Sequence, residues 1–486
     1  MKTLNYFIII LILVVTSCKN EKATDIASEI NAIENGLLPS IQVKDDSIKV
    51  FNLLERMEHY KVPGVSIAIV ENGQIKWAKG YGIANTESES NVDANTIFQA
   101  GSISKPIAAL SALKLVEEGK IDLDQDINFY LNDWKIPENE FTQVEKVTLR
   151  RLLTHTAGMT VHGFPGYKQT DTFPSITQVI NGAGNTPKIL IDTIPGSIWR
   201  YSGGGYTVMQ KMVEDISRLP LDVYMLKNIL QPIGMENSTY EQPLRTEDHS
   251  NISAAYDGDG KIIEGLWHNY PEKAAAGLWT TPSDLAKYCI EIQKILKGKE
   301  DGILSKEFVE KMLTKNKNNW GLGPSLQWEQ DSLIFRHGGK NAGFTNEFVA
   351  FANRGNAVII MTNADNGGSL IGELLRSISN YYNWGISTQR VVETINIPLE
   401  SLNNLTGIYK LDFQVPDVGD YVIDITIKDN NLFVTDTNNG DTNVLAAIEN
   451  LKFIDLESGD EVMFQLMEDK QGILWNNRSQ FYKIED

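Results

Sequence analysis

Ser102, Ile103, Ser104 and Lys105 set a hydroxyl and an amine three residues apart, ahead of Pro106 and an apolar run. On a helix, positions i and i+3 share a face, so the amine comes within reach of the hydroxyl. A serine hydroxyl is a poor nucleophile until a base takes its proton, and a lysine can be that base when burial or neighbouring charge lowers its pKa. Pro106 has no N–H to donate and clashes one turn back, so it pins the helix start close to Ser102, near the dipole end that favours negative charge. Four-residue matches of this kind recur by chance in long chains, so the pattern gains meaning only in company. Tyr201-Ser202-Gly203 lies between Pro195-Gly196 and Gly204-Gly205 and offers a phenol. Held over a lysine, a phenol can relay a proton to a leaving group. His337-Gly338-Gly339 closes the run Leu-Ile-Phe-Arg-His. Glycines at a strand let a substrate backbone come close, and the amide that follows them, at Lys340, could help to form an oxyanion hole. Taken singly, Tyr201 reads as a loop tyrosine covering apolar surface and His337 as a hydrogen-bonded structural histidine.

These residues must be positioned by a fold whose strands come first and last. Residues 65–70 and 74–79 flank Asn72-Gly73, the strongest short hairpin signal. Ile48, Phe51, Leu54 and Met57 predict an amphipathic helix over 47–60. A helix over 104–118 is closed by Gly119. The middle of the chain reads as mainly helical, most clearly over 148–155, 206–218 and 282–296, the last with Thr281 as N-cap and Pro282 at N1. Strand patterns return at 333–337, 345–352 and 357–362, followed by a helix over 369–384. This order predicts an α+β domain, one antiparallel sheet assembled from both ends with helices packed on it. Residues 385–400 read as a connector. Beyond Leu402 six short strands, at 408–411, 421–428, 431–435, 452–455, 461–466 and 473–475, predict a small all-β domain, a barrel or a sandwich.

The chain has 486 residues, 42% hydrophobic and 22% charged, which excludes fibrous and disordered classes. Its formal net charge is −19, so a nucleic-acid partner is not expected. There are two cysteines, Cys18 and Cys289, which excludes a disulfide scaffold or a thiolate zinc site, and the six histidines form no metal-ligand pair at helical spacing. No metal or cofactor is expected. Residues 1–17 carry Lys2 and an apolar run from Phe7 to Val15, a secretory signal too short for a permanent span. Val15-Thr16-Ser17-Cys18 resembles a bacterial lipobox, which implies lipid on Cys18, removal of residues 1–17 and an exported, membrane-anchored protein of the cell envelope. The acidic chain would be repelled by anionic lipid heads, so the covalent lipid would do the anchoring. Residues 18–43 read as a tether, 44–388 as the catalytic domain and 400–486 as the β domain.

The three motifs, in this order and at these intervals, resemble the serine β-lactamase and penicillin-binding superfamily, in its class C-like serine hydrolase branch. Supporting segments are Val62-Pro63-Gly64-Val65-Ser66-Ile67-Ala68, Phe98-Gln99-Ala100-Gly101-Ser102, Leu152-Leu153-Thr154-His155-Thr156-Ala157-Gly158-Met159, and the stretch from Ala275 to Asp284. The resemblance implies a β-lactamase/transpeptidase-like fold and an acyl-enzyme mechanism on a small-molecule or peptide substrate. It implies Ser102 as nucleophile, Lys105 as base or its partner, and Tyr201 in proton transfer. His337 takes the position often held by lysine, with Gly338, Gly339 and the Ser102 and Lys340 amides around the oxyanion. His155 is assigned a structural role, and Trp279 and Tyr288 are assigned to the core. Two departures stand out: Gly203 replaces the usual asparagine, and His337-Gly338-Gly339 replaces lysine-threonine-glycine. Both favour an esterase or D-amino-acid peptidase over a true β-lactamase. A catalytically silent cell-wall or ligand-binding lipoprotein is the competing reading, and it would not need an intact Ser102, Lys105 and Tyr201 set.

Overall fold

The computed structural model describes residues 18–249, 251–415, 419–467 and 470–484. The expected signal segment, residues 1–17, and the Cys18 side chain lie outside the described residues. Among those described, no helix is long and apolar enough to cross a membrane. Two compact units are present: Leu54–Ile371, and a second that joins the chain before Leu54 to the chain from Gly372 onward.

In the first unit, strands Gly64–Glu71 and Gln74–Asn85 form the expected hairpin. Asn72 and Gly73 both have positive φ, 54° and 72°, as a two-residue hairpin turn requires. Strand Gly64–Glu71 then pairs antiparallel with Ala357–Thr362, Ile67 opposite Ile360. Ends far apart in sequence thus make the centre of one seven-stranded sheet, which continues through Phe344–Phe351 and Ser332–Asn341 to the edge strand Ser325–Glu329. The two strands of that central pair, 64–71 and 357–362, are almost wholly buried and largely apolar. Helix Ser104–Glu117 is buried on all sides over its first ten residues, as its Ile, Ala and Leu content demands. Helix Pro282–Leu296 begins as expected, Thr281 Oγ1 accepting from Asp284 N at 3.1 Å, and carries the buried free thiol Cys289.

The middle of the chain differs from the expected helical region. Its helices are mostly five residues or shorter, such as Leu149–Leu153 and Ile176–Ile180, joined by long loops; only Gly203–Ser217 and Pro282–Leu296 run to fifteen. The helix expected over 47–60 is confined to Leu53–His59, because Ile48 and Leu54 face solvent while Leu53 and Met57 are buried.

In the second unit, Gly407–Val415 to Ser479–Lys483 close an eight-stranded antiparallel barrel around Tyr409, Phe453, Phe464 and Phe481. Two of its strands, Thr442–Glu449 and Ser479–Lys483, were not expected. The segment read as a tether forms helix Cys18–Glu34 and strand Ile41–Val43. That strand pairs in parallel with Arg390–Val392, inside the stretch read as a connector. The physical reason is apolar content at useful spacing: Ile33, Leu37, Leu38 and Ile41 are buried, and Ile41 clusters with Val392 and Ile454.

Candidate active site

Ser102 sits on one 3-10 turn, Gly101–Ile103, that leads directly into helix Ser104–Glu117. Gly101 has φ +55°, and a Cβ there would lie 2.5 Å from the Lys340 backbone N, so only glycine lets the turn approach strand Ser332–Asn341. The turn is tied down on every side. Ala100 N donates to Leu278 O at 2.8 Å, Leu278 N to Ser104 Oγ at 2.9 Å, and Tyr240 Oη to Ser104 O at 2.6 Å.

Lys105 lies on the all-buried part of the helix, and its amine points at the nucleophile: Nζ donates to Ser102 Oγ at 3.0 Å and to Ala275 O at 2.8 Å. Ala275 belongs to the short helix Lys273–Ala276, whose alanines let the backbone come this close. Burial lowers the Lys105 ammonium to about 7. Tyr201 closes the triangle. Its ring lies 5.0 Å from Lys105 Nζ, and its hydroxyl is hydrogen-bonded to the Ser102 side chain. Burial pushes the phenol upward, and the bond to Ser102 offsets part of that. A neutral lysine beside a protonated phenol therefore makes Lys105 the better proton acceptor of the two.

Strand Ser332–Asn341 brings the third motif. It pairs with Phe344–Phe351 along its length, but with Ser325–Glu329 only as far as Arg336 opposite Ser325. The 337–341 edge thus passes beyond its short neighbour and faces the nucleophile turn. The approach is tight: a Cβ on Gly339 would fall 1.9 Å from Ala100 O. Asn341 and Asn346 lock the two together through Asn341 Nδ2 to Gln99 Oε1, 2.7 Å, and Asn346 Nδ2 to Gln99 O, 2.8 Å. His337 is buried, its Nδ1 bonds Gly338 O at 2.5 Å, and Nε2 has no partner among the described residues. A carbonyl partner requires the proton on Nδ1, which leaves Nε2 a lone-pair acceptor. Burial first, then the Lys105 charge, lowers the imidazole to about 3, so it is neutral. The Lys340 side chain reaches Asp365, 2.9 Å from its carbonyl oxygen and 3.5 Å from its carboxylate.

The structure adds residues that sequence reading did not place here. Trp320 packs edge-on against both His155 and His337, with centroids 5.0 and 5.6 Å away, and against Tyr201 at 5.8 Å. No local pattern in Asn-Asn-Trp-Gly signals this. His155, assigned a structural role, stacks on Tyr201 at 4.2 Å, and its Nδ1 accepts from Ser202 N at 3.1 Å. Burial and the Lys105 charge hold it neutral. Trp279 and Tyr288 are in the core. Among the described residues, no group of three or more His, Cys, Asp or Glu side chains is arranged to hold a metal ion.

The beta-lactamase family model matches residues 52–377. The chain belongs to the beta-lactamase family. This is a family of serine hydrolases, and the match covers both the nucleophile turn and the third-motif strand. Protein flp of Staphylococcus aureus (strain MRSA252) is 25% identical over 226 residues, 46% of this chain and 42% of that protein, so the chain matches less than half the length of this relative. Among solved structures, the octameric penicillin-binding protein homologue from Pyrococcus abyssi aligns with a TM-score of 0.61 at 23% identity, covering 89% of this chain and 98% of that one. The D-amino acid amidase from Ochrobactrum anthropi SV3 aligns at 0.56 and 19%, covering 73% and 99%. At these identities the two structures speak to the fold alone, a β-lactamase/transpeptidase-like one.

Proposed function

We propose that this serine hydrolase cleaves an ester or amide through an acyl-enzyme on Ser102, with an esterase or D-amino-acid peptidase range rather than that of a true β-lactamase. The observation that carries the reading is the Lys105 amine, lowered to about 7 and 3.0 Å from Ser102 Oγ. In this mechanism neutral Lys105 Nζ takes the Oγ proton as Oγ bonds the carbonyl carbon. The oxyanion meets the backbone N–H groups of Ser102 and Lys340, with Gly338 and Gly339 keeping the strand close. Tyr201 passes its proton to the departing oxygen or nitrogen and recovers one from the Lys105 ammonium. Water then attacks the acyl carbon by the reverse route, freeing Ser102.

The substrate preference rests on charge. A neutral His337 offers no cation to a substrate carboxylate, and the Lys340 ammonium is engaged by Asp365. Gly203 has no side chain to bond a substrate amide. The fold-level likeness to a D-amino acid amidase is a reason to include D-aminoacyl amides among the substrates tried.

A fluorophosphonate should add its mass to Ser102, and p-nitrophenyl ester turnover should vanish in Ser102→Ala. No adduct from fluorophosphonate or penicillin probes on folded protein would overturn the reading in favour of a silent binding protein. The same proposal makes the chain an exported lipoprotein of the cell envelope, anchored by lipid on Cys18, supported by the Val15-Thr16-Ser17-Cys18 run. Partition into detergent that persists in Cys18→Ser would refute the anchor.

A further inference from the structure

Residues 160–164 lie along the second motif, and the catalytic scheme does not use them. Gly203 N donates to His162 O at 3.0 Å, Gly204 N to Val161 O at 3.1 Å, and Ser202 Oγ to Thr160 O at 2.8 Å. Val161 is held at φ +63°, a costly conformation for a β-branched residue. A Cβ built on Gly203 would lie 2.8 Å from Phe164 Cε2 and 3.1 Å from His162 O, so Phe164 fills the space a side chain at 203 would enter. The His162 ring packs on Tyr201 at 4.9 Å, and Tyr201 in turn is bonded to Ser102. Phe164 is half-buried, which leaves part of its ring open. This flank of the nucleophile is therefore two rings, and the backbone N–H groups of Gly203 and Gly204 that might have met a substrate carbonyl are already bonded.

We propose that Phe164 selects the acyl group. An uncharged aromatic or branched acyl group rests against its ring, whereas an acyl group carrying an amide next to the scissile carbonyl loses water there without gaining a partner. The inference rests on Ser102 being the acylated residue. Phe164 acts as a specificity determinant that touches substrate.

The test compares kcat/KM for p-nitrophenyl phenylacetate with that for the p-nitrophenyl ester of N-acetylglycine, each divided by its rate with hydroxide. The wild type should prefer phenylacetate by about 10-fold or more, the scale of one unpaired polar group. Phe164→Ala should lower that ratio at least about fivefold, and Phe164→Leu should fall between. Fluorophosphonate labelling of Ser102 shows whether each variant keeps a formed site; if Phe164→Ala does not label, the comparison rests on Phe164→Leu. A wild-type ratio near one, or an unchanged ratio in a variant that labels, overturns the inference and leaves Ser102 as nucleophile. Failure of the wild type to label overturns both.

Discussion

Asp455 in the barrel and Glu272 in the hydrolase unit are both carboxyls almost wholly removed from water, 2% and 0% exposed. Asp455 accepts from Glu457 N at 2.8 Å, Ser458 N at 3.1 Å and Asn443 Nδ2 at 2.8 Å. Neither oxygen of Glu272 has a partner among the described residues, and burial raises its carboxyl to about 8. The contrast extends beyond the pair. Of the buried side-chain polar atoms without a partner among the described residues, Gln389 Nε2 is the one in the barrel's unit; the others, His155 Nε2 and His337 Nε2 among them, belong to the hydrolase unit. Glu272 heads the short helix whose Ala275 carbonyl holds Lys105. Gln389 apart, the barrel's unit satisfies the buried side-chain polar atoms of its described residues. The other keeps displaced, unpaired groups around a nucleophile, as functional sites do.

Lys105→Met should give the largest effect. Ester turnover should fall by roughly 10²–10⁴-fold, the contribution of a positioned base. In the wild type, kcat/KM should rise with pH through about 7, where the Lys105 amine becomes neutral. Stability should also rise with pH, over a window that begins where the activity rise is centred. The folded pKa lies below the unfolded value of 10.5, so between about 7 and 10.5 the unfolded chain holds the proton and the folded one does not. Wild-type stability therefore climbs with pH across that window. The Met variant should melt higher than wild type near pH 7, with the gap closing toward pH 10.5; a gap that widens would break the comparison.

Asp455→Ala should come next. It strands three donors and should lower stability by about 2–3 kcal/mol, read as a lower urea midpoint. Glu272→Gln should have the smallest effect and the opposite sign. The folded carboxyl titrates at about 8 against 4.5 when unfolded, so its contribution is intact below 4.5 and is lost as pH rises toward 8. The Gln variant should melt higher than wild type at pH 8, by only about 1 kcal/mol because its amide is also unpaired, and the difference should vanish below pH 4.5. Destabilisation at pH 8 would mean that the Glu272 carboxylate is held by a partner after all.

The parts of the site written in short local patterns were legible. Ser102 and Lys105 meet because helix geometry brings i and i+3 together, and the Asn72-Gly73 hairpin and the Thr281-Pro282 helix start follow from backbone rules of a few residues. Pairing the first hairpin with strand Ala357–Thr362 was legible only as an order of elements. Trp320 was not legible, because its place beside His155, Tyr201 and His337 depends on a loop returning from distant sequence; the 162–172 loop was legible as a specificity loop but not for what it selects. Strand Thr442–Glu449 was hidden by Ala446 and Ala447, poor strand formers that the closed barrel accommodates. The segment read as a tether carries its apolar residues among charges, and its partner strand Arg390–Val392 lies some 350 residues further along.

Cys289 gives the molecule a built-in clock. Its thiol is wholly buried in helix Pro282–Leu296, and burial pushes its pKa upward, so the reactive thiolate is suppressed while the helix stays packed. With Cys18 replaced by serine, it is the one thiol in the chain. The rate at which a thiol reagent captures it then counts the openings of the hydrolase core directly.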